Sequence, residues 1–343
     1  MRSTIRQVAE RAGVSRTTVS NVLLGRHDLV APSKRDSVLQ AVKELNYVPV
    51  RSALQNRHVP TWAIAVPMSD PAKINWVINS GTHQGICESA MRHGYDVLMM
   101  LRPDPDWASE RSEVQFLDHR SDGIVFASPL LRESQSTFEA LVQHKIPAVA
   151  CYRRDVPDGV AWVDPDNQSA MLQAVSHLVE MGHTRIAHLT EDGQELFDTL
   201  ERRRYFAEAV RHYGLPQCAD WIVTGRFYEI SLQVVQQILD LGATAVVCHN
   251  DLLALNLWTV MEADGLSVPD DLSIVGVDGI DAPARGLTSV EFSFAEIGRK
   301  AVDSLVAQIE GQPAEECCYA VPVQLKARKS VKKLQRTKAK ETV

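Results

Sequence analysis

The first 45 residues carry the hydrophobic spacing of short helices. Apolar residues recur at intervals of three and four between Ile5 and Ala12, which places them on one helical face. Thr4 and Gln7 form a capping-box start, and Gly13 suits the left-handed position that ends a helix. Ser15 is then the predicted N-cap of a second helix. Its apolar residues can face the first helix; they are Val14, Val19, Val22 and Leu23.

A third helix is predicted from Pro32, a favourable first-turn residue, to Leu45. Three helices with a glycine-containing turn between the first two are typical of a helix-turn-helix unit, whose second helix enters the major groove. The outward face of that second helix would carry Arg16, Thr17, Ser20 and Asn21. The alternative is a small helical cap on a larger domain, with these residues forming an ordinary solvated face.

Charge favours the nucleic-acid interpretation. Residues 1–60 have a net charge of +6, whereas the whole chain has a net charge of −7. The remaining residues are therefore strongly acidic. A basic module on an acidic body is typical of proteins that bind nucleic acid.

After residue 61, short apolar runs alternate with helical stretches that end at Gly94, Gly182 and Gly214. Such alternation predicts an α/β class of fold with parallel sheets covered by helices. The length of this part predicts two doubly wound lobes. The predicted strands are WAIAVP at 62, YDVLMML at 95, GIVFA at 123, PAVAC at 147, RIAHL at 185, TAVVC at 244 and SIVGV at 273.

Enzymatic signatures are weak along the whole sequence. No Gly-x-Gly-x-x-Gly follows the first strand, no Walker-type phosphate loop occurs, and no Ser-His-Asp or Cys-His arrangement stands out. Carboxylates after strands, such as Asp278 and Asp281, suit ligand hydroxyls as well as acid-base chemistry. The six cysteines show no C-x-x-C pair, and most are expected to be buried and reduced. We expect no catalysis, no metal and no cofactor.

The ends of the chain suggest a cytoplasmic protein. No apolar run reaches the roughly 18 residues that a membrane span needs, and the polar N-terminus lacks a signal-peptide pattern. The stretch from Lys326 to Val343 holds eight basic residues and one acidic residue. We expect a final strand that ends near Ser330 and then a basic, disordered tail over residues 331–343.

Several sequence runs, in order along the chain, resemble the lactose-repressor and purine-repressor family of bacterial transcription regulators. They are TIRQVAERAGVSRTTVSNVLLG followed by LNYVP, PDN at 165–167, HLVEMGHTRIA at 177–187, ND at 250–251 and VPDDLSIVGVD at 268–278. The resemblance spans almost the whole chain. It implies a helix-turn-helix domain at 1–47, a hinge helix or linker at 48–60, and a periplasmic-binding-protein-like body at 61–330 whose two lobes close on an effector.

The resemblance also implies that two protomers read a pseudo-palindromic operator, because a two-fold dimer presents its second helices to matching half-sites. Arg16, Thr17 and Asn21 are the candidates for base contacts. Ser15, Ser20 and the start of the first helix at Thr4 are the candidates for phosphate contacts. Many relatives carry arginine where Asn21 stands, so the half-site is expected to differ. No leucine heptads follow the body, so we expect a dimer rather than a tetramer.

The hinge segment PVRSALQNR, at 49–57, departs from its relatives in one residue. The implied hinge helix enters the minor groove through Ala53, Leu54 and Asn56, and relatives often have a wedging leucine where Asn56 stands. Asparagine is a poor wedge, so we predict a smaller DNA bend than leucine-bearing relatives produce, with a shifted Leu54 wedge as the alternative. Circular-permutation gel shifts of Asn56→Leu and Leu54→Ala measure the bend. No change with Asn56→Leu together with loss in Leu54→Ala would contradict this prediction.

Six residues are implied to bind the effector: Arg202, Asn250, Asp278, Phe227 as a stacking surface, and Asn75 and Trp76 from the first lobe. An arginine fork and an acceptor carboxylate suit the hydroxyls of a carbohydrate, our first choice, or a nucleoside or purine, our second. Relatives usually have glycine where Tyr205 stands and an Asn-Pro-aromatic-aromatic run near SDPAKINW, which implies a smaller or differently shaped pocket. Asn250 with Asp251 would alternatively cap a helix.

Two classes of protein therefore compete for this sequence. One is a ligand-responsive repressor of sugar-uptake or catabolic genes. The other is a sugar- or nucleoside-binding protein with no nucleic-acid role. The basic helical module at the N-terminus favours the repressor, because a solute-binding protein would begin with an export signal.

Overall fold

The computed structural model describes residues 3–23, 29–45, 47, 61–68, 76–101, 116–117, 120–127, 135–191, 197–216, 222–225 and 230–334. These residues form an N-terminal helical domain and two α/β lobes, each with its own sheet. The predicted fold class is thereby confirmed. The hinge helix proposed for residues 48–60 lies outside the described residues.

The helical domain consists of α1 (Ile5–Ala12), α2 (Arg16–Leu23) and α3 (Pro32–Glu44). The capping box is present, since Gln7 N donates to Thr4 Oγ1 at 3.4 Å and Thr4 N donates to Gln7 Oε1 at 2.7 Å. Gly13, with φ 65°, ends α1 in the left-handed conformation. Ser15 Oγ accepts from the backbone N–H of Thr18 at 3.1 Å. The three predicted helices and both caps are confirmed.

These helices share one small core. It consists of Val8, Ala9, Val19, Val22, Val30, Val38, Ala41 and Tyr47. The predicted inward positions of all three helices therefore meet as their spacing requires. Tyr47, at the predicted domain boundary, packs with this domain.

Lobe one contains a six-stranded, fully parallel sheet of order β2-β1-β3-β4-β5-β11. Most of its strand residues are buried, as expected for a sheet that helices cover. Its strands are β1 (Ala63–Met68), β2 (Asp96–Leu101), β3 (Gly123–Phe126), β4 (Ala148–Cys151), β5 (Ala161–Pro165) and β11 (Tyr319–Val321). Its helices are α4 (Trp76–His93), α5 (Gln135–Gln143) and α11 (Phe294–Ile309).

Helices α4 and α11 are distant in sequence but approach very closely at glycines. A Cβ atom on Gly85 would lie 1.9 Å from the carbonyl oxygen of Ala295. A Cβ atom on Gly298 would lie 2.0 Å from the carbonyl oxygen of Thr82. Real Cβ atoms do not approach backbone that closely, so this contact requires glycine at both positions.

Lobe two contains a second six-stranded sheet of order β7-β6-β8-β9-β10-β12. The strands are parallel except β12, which runs antiparallel to β10. They are β6 (Ile186–Glu191), β7 (Ile222–Gly225), β8 (Ala245–Cys248), β9 (Ser273–Asp278), β10 (Thr288–Glu291) and β12 (Gln324–Lys326). The helices are α6 (Asn167–Glu180), α7 (Phe197–His212), α8 (Leu232–Asp240), α9 (Asp251–Ala263) and the single turn α10 (Ala282–Arg285).

Three described segments carry the chain between the lobes. The first joins β5 to α6, the second joins β10 to α11, and the third joins β11 to β12. The last helix thus returns to lobe one, and the last two strands complete one sheet each.

The C-terminal part differs from the prediction. The final strand ends at Lys326 rather than near Ser330, and the next eight residues pack on lobe two. Val331 is buried, Ile274 N donates to Ser330 O at 2.8 Å, and Leu334 N donates to Met181 O at 2.8 Å. The predicted tail over residues 331–343 therefore starts too early, because backbone hydrogen bonds hold the chain as far as Leu334. Residues 335–343 lie outside the described part.

The cysteines mostly follow the prediction. Cys151, Cys248 and Cys317 are buried and Cys318 is half-buried, whereas Cys87 is exposed on α4. Within the described residues, no helix has the length and apolar content that crossing a membrane demands.

Candidate functional sites

The outward side of the helix-turn-helix unit presents the predicted DNA-contacting residues together. Ser15, Arg16 and Thr17 are exposed, and Ser20 and Asn21 are half-buried on α2. The Ser15 hydroxyl already accepts the N–H of Thr18, and Thr4, which is exposed, caps α1. The hydroxyls of Thr4 and Ser15 therefore already cap the two helix starts.

Arg6 is exposed on α1 close to Arg16. Its side chain shares a concavity of about 300 Å³ with Arg16, and Ala9, Glu10 and Val14 complete the lining. Arg6 Nε lies 2.8 Å from Glu10 Oε1 across an exposed face of α1.

A second candidate site lies where the strand order of lobe two reverses, between β6 and β8. In doubly wound sheets, ligands bind beyond the carboxyl ends of the strands at such a reversal. Strand β8 ends at Cys248, so His249 and Asn250 follow at this position. The polar groups around them define the candidate effector site.

Arg202 of α7 is the centre of this site. Its side chain is 3% exposed, and its guanidinium donates to three groups: Asn167 Oδ1 at 2.9 Å, His249 O at 2.6 Å and Asp278 Oδ1 at 2.8 Å. These acceptors belong to α6, the end of β8 and the end of β9. The structure therefore brings together Arg202 and Asp278, two of the residues that the family resemblance assigns to the effector.

Asp278 itself has an unusual backbone, with φ 107°, which residues other than glycine rarely adopt. The loop that follows it is held by buried Asp251, which accepts from Ile280 N at 2.6 Å and from Ser289 Oγ at 2.7 Å. Gly276 makes room for Asp251, since a Cβ there would lie 2.0 Å from Asp251 Oδ1. Asp251 is thus a structural support of the site.

Two further carboxylates, which sequence reasoning missed, belong to the same cluster. Asp164, at the end of β5, accepts through Oδ2 from Arg154 Nε at 2.8 Å, whereas its buried Oδ1 makes no hydrogen bond within the described residues. Asp198 of α7 lies with Oδ2 3.6 Å from His249 Nε2. His249 Nδ1 is also buried and without a hydrogen bond to the described residues.

The other predicted effector residues have different outcomes. Asn250 is buried beside the cluster, but its Oδ1 accepts from Leu253 N at 2.9 Å and caps α9, which confirms the capping alternative for that atom. Asn75 and Phe227 lie outside the described residues, as does the side chain of Trp76 at the start of α4. Tyr205 is half-buried, with the Arg204 guanidinium 4.4 Å from its ring centre.

Burial is the largest cause of the pKa shifts in this cluster. It raises the pKa of Asp278 to about 6 against the opposing effect of Arg202, and that of Asp164 to about 7 against Arg154. It also raises the pKa of Asp198. Burial lowers the pKa of His249 well below its ordinary value, and repulsion from Arg202 adds to this. The His249 imidazole is therefore neutral at neutral pH.

The raised pKa of Asp164 predicts a pH-dependent stability. The Asp164 carboxyl holds its proton more tightly in the folded chain than in the unfolded chain. Its contribution to the free energy of unfolding is therefore fully present below the ordinary pKa of 3.8 and is lost as the pH rises through about 7. Relative to Asp164→Asn, the native chain should lose on the order of 1 kcal/mol of unfolding free energy per pH unit across this window. Urea unfolding at several pH values measures the difference.

Asp155→Asn, which removes a carboxylate that is 52% exposed, gives the background for this experiment. Contributions from the buried histidines cancel, because they are common to all three proteins. A native-minus-variant difference that stays constant from pH 4 to pH 7 would mean that Asp164 titrates normally.

Sequence comparison relates both parts of the chain to regulators. Residues 4–50 match the profile of the lacI family of bacterial regulatory proteins, and residues 175–331 match the periplasmic binding protein-like domain. The HTH-type transcriptional repressor PurR of Vibrio parahaemolyticus is 30% identical, over 97% of this chain and 99% of that repressor. The repressor CytR of Escherichia coli is 32% identical, over 90% of this chain and 91% of its own length.

Solved structures agree with this relationship. The transcriptional regulator CelR in complex with cellobiose superposes with a TM-score of 0.69 at 28% identity, covering 96% of this chain and all of that one. The lac repressor dimer bound to operator and the anti-inducer ONPF superposes with a TM-score of 0.66 at 26% identity, covering 97% of this chain and all of that one.

The helix-turn-helix domain and the two-lobed body define a ligand-responsive DNA-binding transcription regulator. Its curated relatives are repressors rather than enzymes. The chain belongs to the lacI family of bacterial regulatory proteins.

Proposed function

We propose that this protein represses transcription in the cytoplasm by binding a pseudo-palindromic operator as a dimer, and that a small polar effector bound between its lobes controls operator affinity. The observation that carries the effector site is the buried cluster around Arg202 and Asp278. It lies at the strand-order reversal and includes polar atoms of Asp164 and His249 that make no hydrogen bond to the described residues. The role is binding rather than catalysis.

A carbohydrate is the first choice of effector, and a nucleoside or purine is the second. Arg202 has two guanidinium N–H groups beyond the three that it donates within the protein, and Asp278 has a second carboxylate oxygen. Together they offer the donors and the acceptor that paired hydroxyls require. The cellobiose complex of CelR supports the carbohydrate, since it shares 28% identity over nearly the whole chain. The target genes would then serve uptake or breakdown of that compound.

The test uses the full-length protein in two stages. A thermal-shift screen of sugars and nucleosides finds compounds that bind the folded chain, because such a ligand raises stability by mass action. Selection from random duplex DNA finds the operator. Titration calorimetry and gel shifts then measure how far a bound compound changes operator affinity. A bound compound that leaves operator affinity unchanged, or selected DNA without two-fold symmetry, would contradict the proposal.

Arg16 provides a prediction for DNA recognition. Arg16→Ala should relax base preference by about 1–3 kcal/mol, because a bidentate contact to guanine carries that discrimination. Binding to the selected operator and to scrambled duplex is compared at fixed salt. Arg35→Ala, an exposed arginine of α3, is the matched control. Equal weakening on both duplexes would reassign Arg16 to a phosphate.

A further inference from the structure

Arg6 and Glu10 of α1 form an ion pair beside the start of α2. Arg6 Nε donates to Glu10 Oε1 at 2.8 Å, and the two side chains are 78% and 60% exposed. Both line the same concavity as Arg16, the first residue of α2. The first residues of the second helix in a helix-turn-helix unit contact base edges in the major groove. The ion pair therefore belongs to the DNA-facing surface of α1.

The Glu10 carboxylate disfavours a phosphate contact by Arg6. It neutralises the arginine and would repel a neighbouring phosphate group. It also reduces the positive charge with which residues 1–60, at a net charge of +6, attract any duplex. An ion pair this exposed adds little to the stability of a helix. Neither attraction to the DNA backbone nor folding therefore explains an acidic side chain at this surface.

A guanine base matches the part of Arg6 that the ion pair leaves available. The bond to Glu10 uses Nε, so the two terminal nitrogens of the guanidinium remain for a bidentate contact. Guanine presents two acceptors, N7 and O6, in the major groove. Adenine presents a donor where guanine has O6, so it cannot accept both N–H groups. The held guanidinium is thus suited to distinguish guanine from adenine.

We propose that Arg6 reads the guanine of one G·C base pair in each half-site, distinct from the base pair that Arg16 contacts. Glu10 is a positioning residue, which holds the guanidinium through Nε. The inference rests on operator binding by a dimer, as proposed above, and adds a base-reading residue on α1 to those on α2. Because Arg6 and Arg16 line one concavity, the two base pairs lie close together within the half-site.

The experiment measures base preference position by position with the full-length protein. Selection from random duplex DNA first gives the operator of the native chain. Each base pair of the half-site is then replaced in turn, in both half-sites, and binding is measured by fluorescence anisotropy at fixed salt. The native chain should prefer G·C at the Arg6 position by about tenfold or more, as expected for a bidentate contact to guanine.

Arg6→Ala should reduce this preference to within about twofold and leave the preferences at all other positions unchanged. Glu10→Ala should weaken the same preference, because the guanidinium is no longer held, while scrambled duplex binds at least as tightly as to the native chain. Arg11→Ala is the matched control on α1, since Arg11 pairs instead with Glu44 of α3. It should retain the preference. Retained preferences at the other positions also show that each variant is folded.

Three results would overturn the inference. Equal weakening of Arg6→Ala on every duplex would assign Arg6 to a phosphate. Loss of the same base preference in Arg6→Ala and Arg16→Ala would mean that Arg6 only supports Arg16. An unchanged preference in Glu10→Ala would remove its positioning role.

The selected sequence separates this inference from the proposed function. A sequence without two-fold symmetry would contradict the proposed dimeric operator. A symmetric sequence on which Arg6→Ala changes no base preference would overturn only the role of Arg6.

Discussion

Replacing Arg202 with methionine should lower the free energy of unfolding by about 3–5 kcal/mol, because it leaves Asp278 buried without its counter-ion. The same change should abolish effector binding, since the donor fork is lost. Arg202 donates to groups on three different elements, so no neighbouring side chain replaces it. Urea denaturation and calorimetry with the compound found by screening measure the two effects.

The double variant Arg202→Met/Asp278→Asn separates the charge from the contacts. It should recover part of the lost stability, because the uncompensated carboxylate has been removed, but not effector binding. Arg204→Met, whose native side chain is 56% exposed on the same helix, should change stability by less than about 0.5 kcal/mol. An Arg202→Met chain as stable as the native one would mean that the Arg202–Asp278 ion pair does not stabilise lobe two.

Gly298→Ala should destabilise lobe one by about 3 kcal/mol or more, although alanine is the better helix former. The added Cβ would lie 2.0 Å from Thr82 O and 2.7 Å from Ile86 N, and backbone atoms cannot yield as a flexible side chain does. Helices α4 and α11 must then separate. Thermal and urea unfolding, followed by tryptophan fluorescence, report the loss.

Gly94→Ala is the comparison for this substitution. Gly94 has φ 75°, and a Cβ atom added there would meet nothing within 4 Å, so its replacement costs about 1 kcal/mol through backbone conformation alone. A loss in Gly298→Ala no larger than in Gly94→Ala would show that the two helices can move apart without penalty.

Local pattern was sufficient for the N-terminal helices and for many of the strands. The three-and-four spacing of α1, the Thr4–Gln7 box and the position of Pro32 depend on neighbours within one turn, so the sequence alone predicts them. Strands β1 to β4, β6, β8 and β9 were recognisable from their apolar runs, whereas β5, β7, β10 and β11 were not predicted. The tail boundary was not, because Leu334 is held by a hydrogen bond to Met181, which no local pattern reveals.

The effector cluster was only partly predictable. Arg202 and Asp278 were located through the family resemblance, and the structure joins them. Asp164 and Asp198 were missed because they come from the end of a lobe-one strand and the first turn of a lobe-two helix. Their proximity depends on how the chain crosses between the sheets, and periodicity carries no information on that.

The segment that joins β11 to β12 affects when the two lobes can fold during biosynthesis. Strands β11 and β12 occupy one edge of each sheet and, at residues 319–326, come after all the other described strands of both sheets. Neither lobe can therefore complete its sheet until the ribosome has released this segment. A chain that stopped before Tyr319 would carry an intact DNA-binding domain on two lobes with unpaired sheet edges, a state prone to aggregation. Such a nonsense product should be removed as insoluble or degraded protein rather than persist as an operator-bound repressor without effector control.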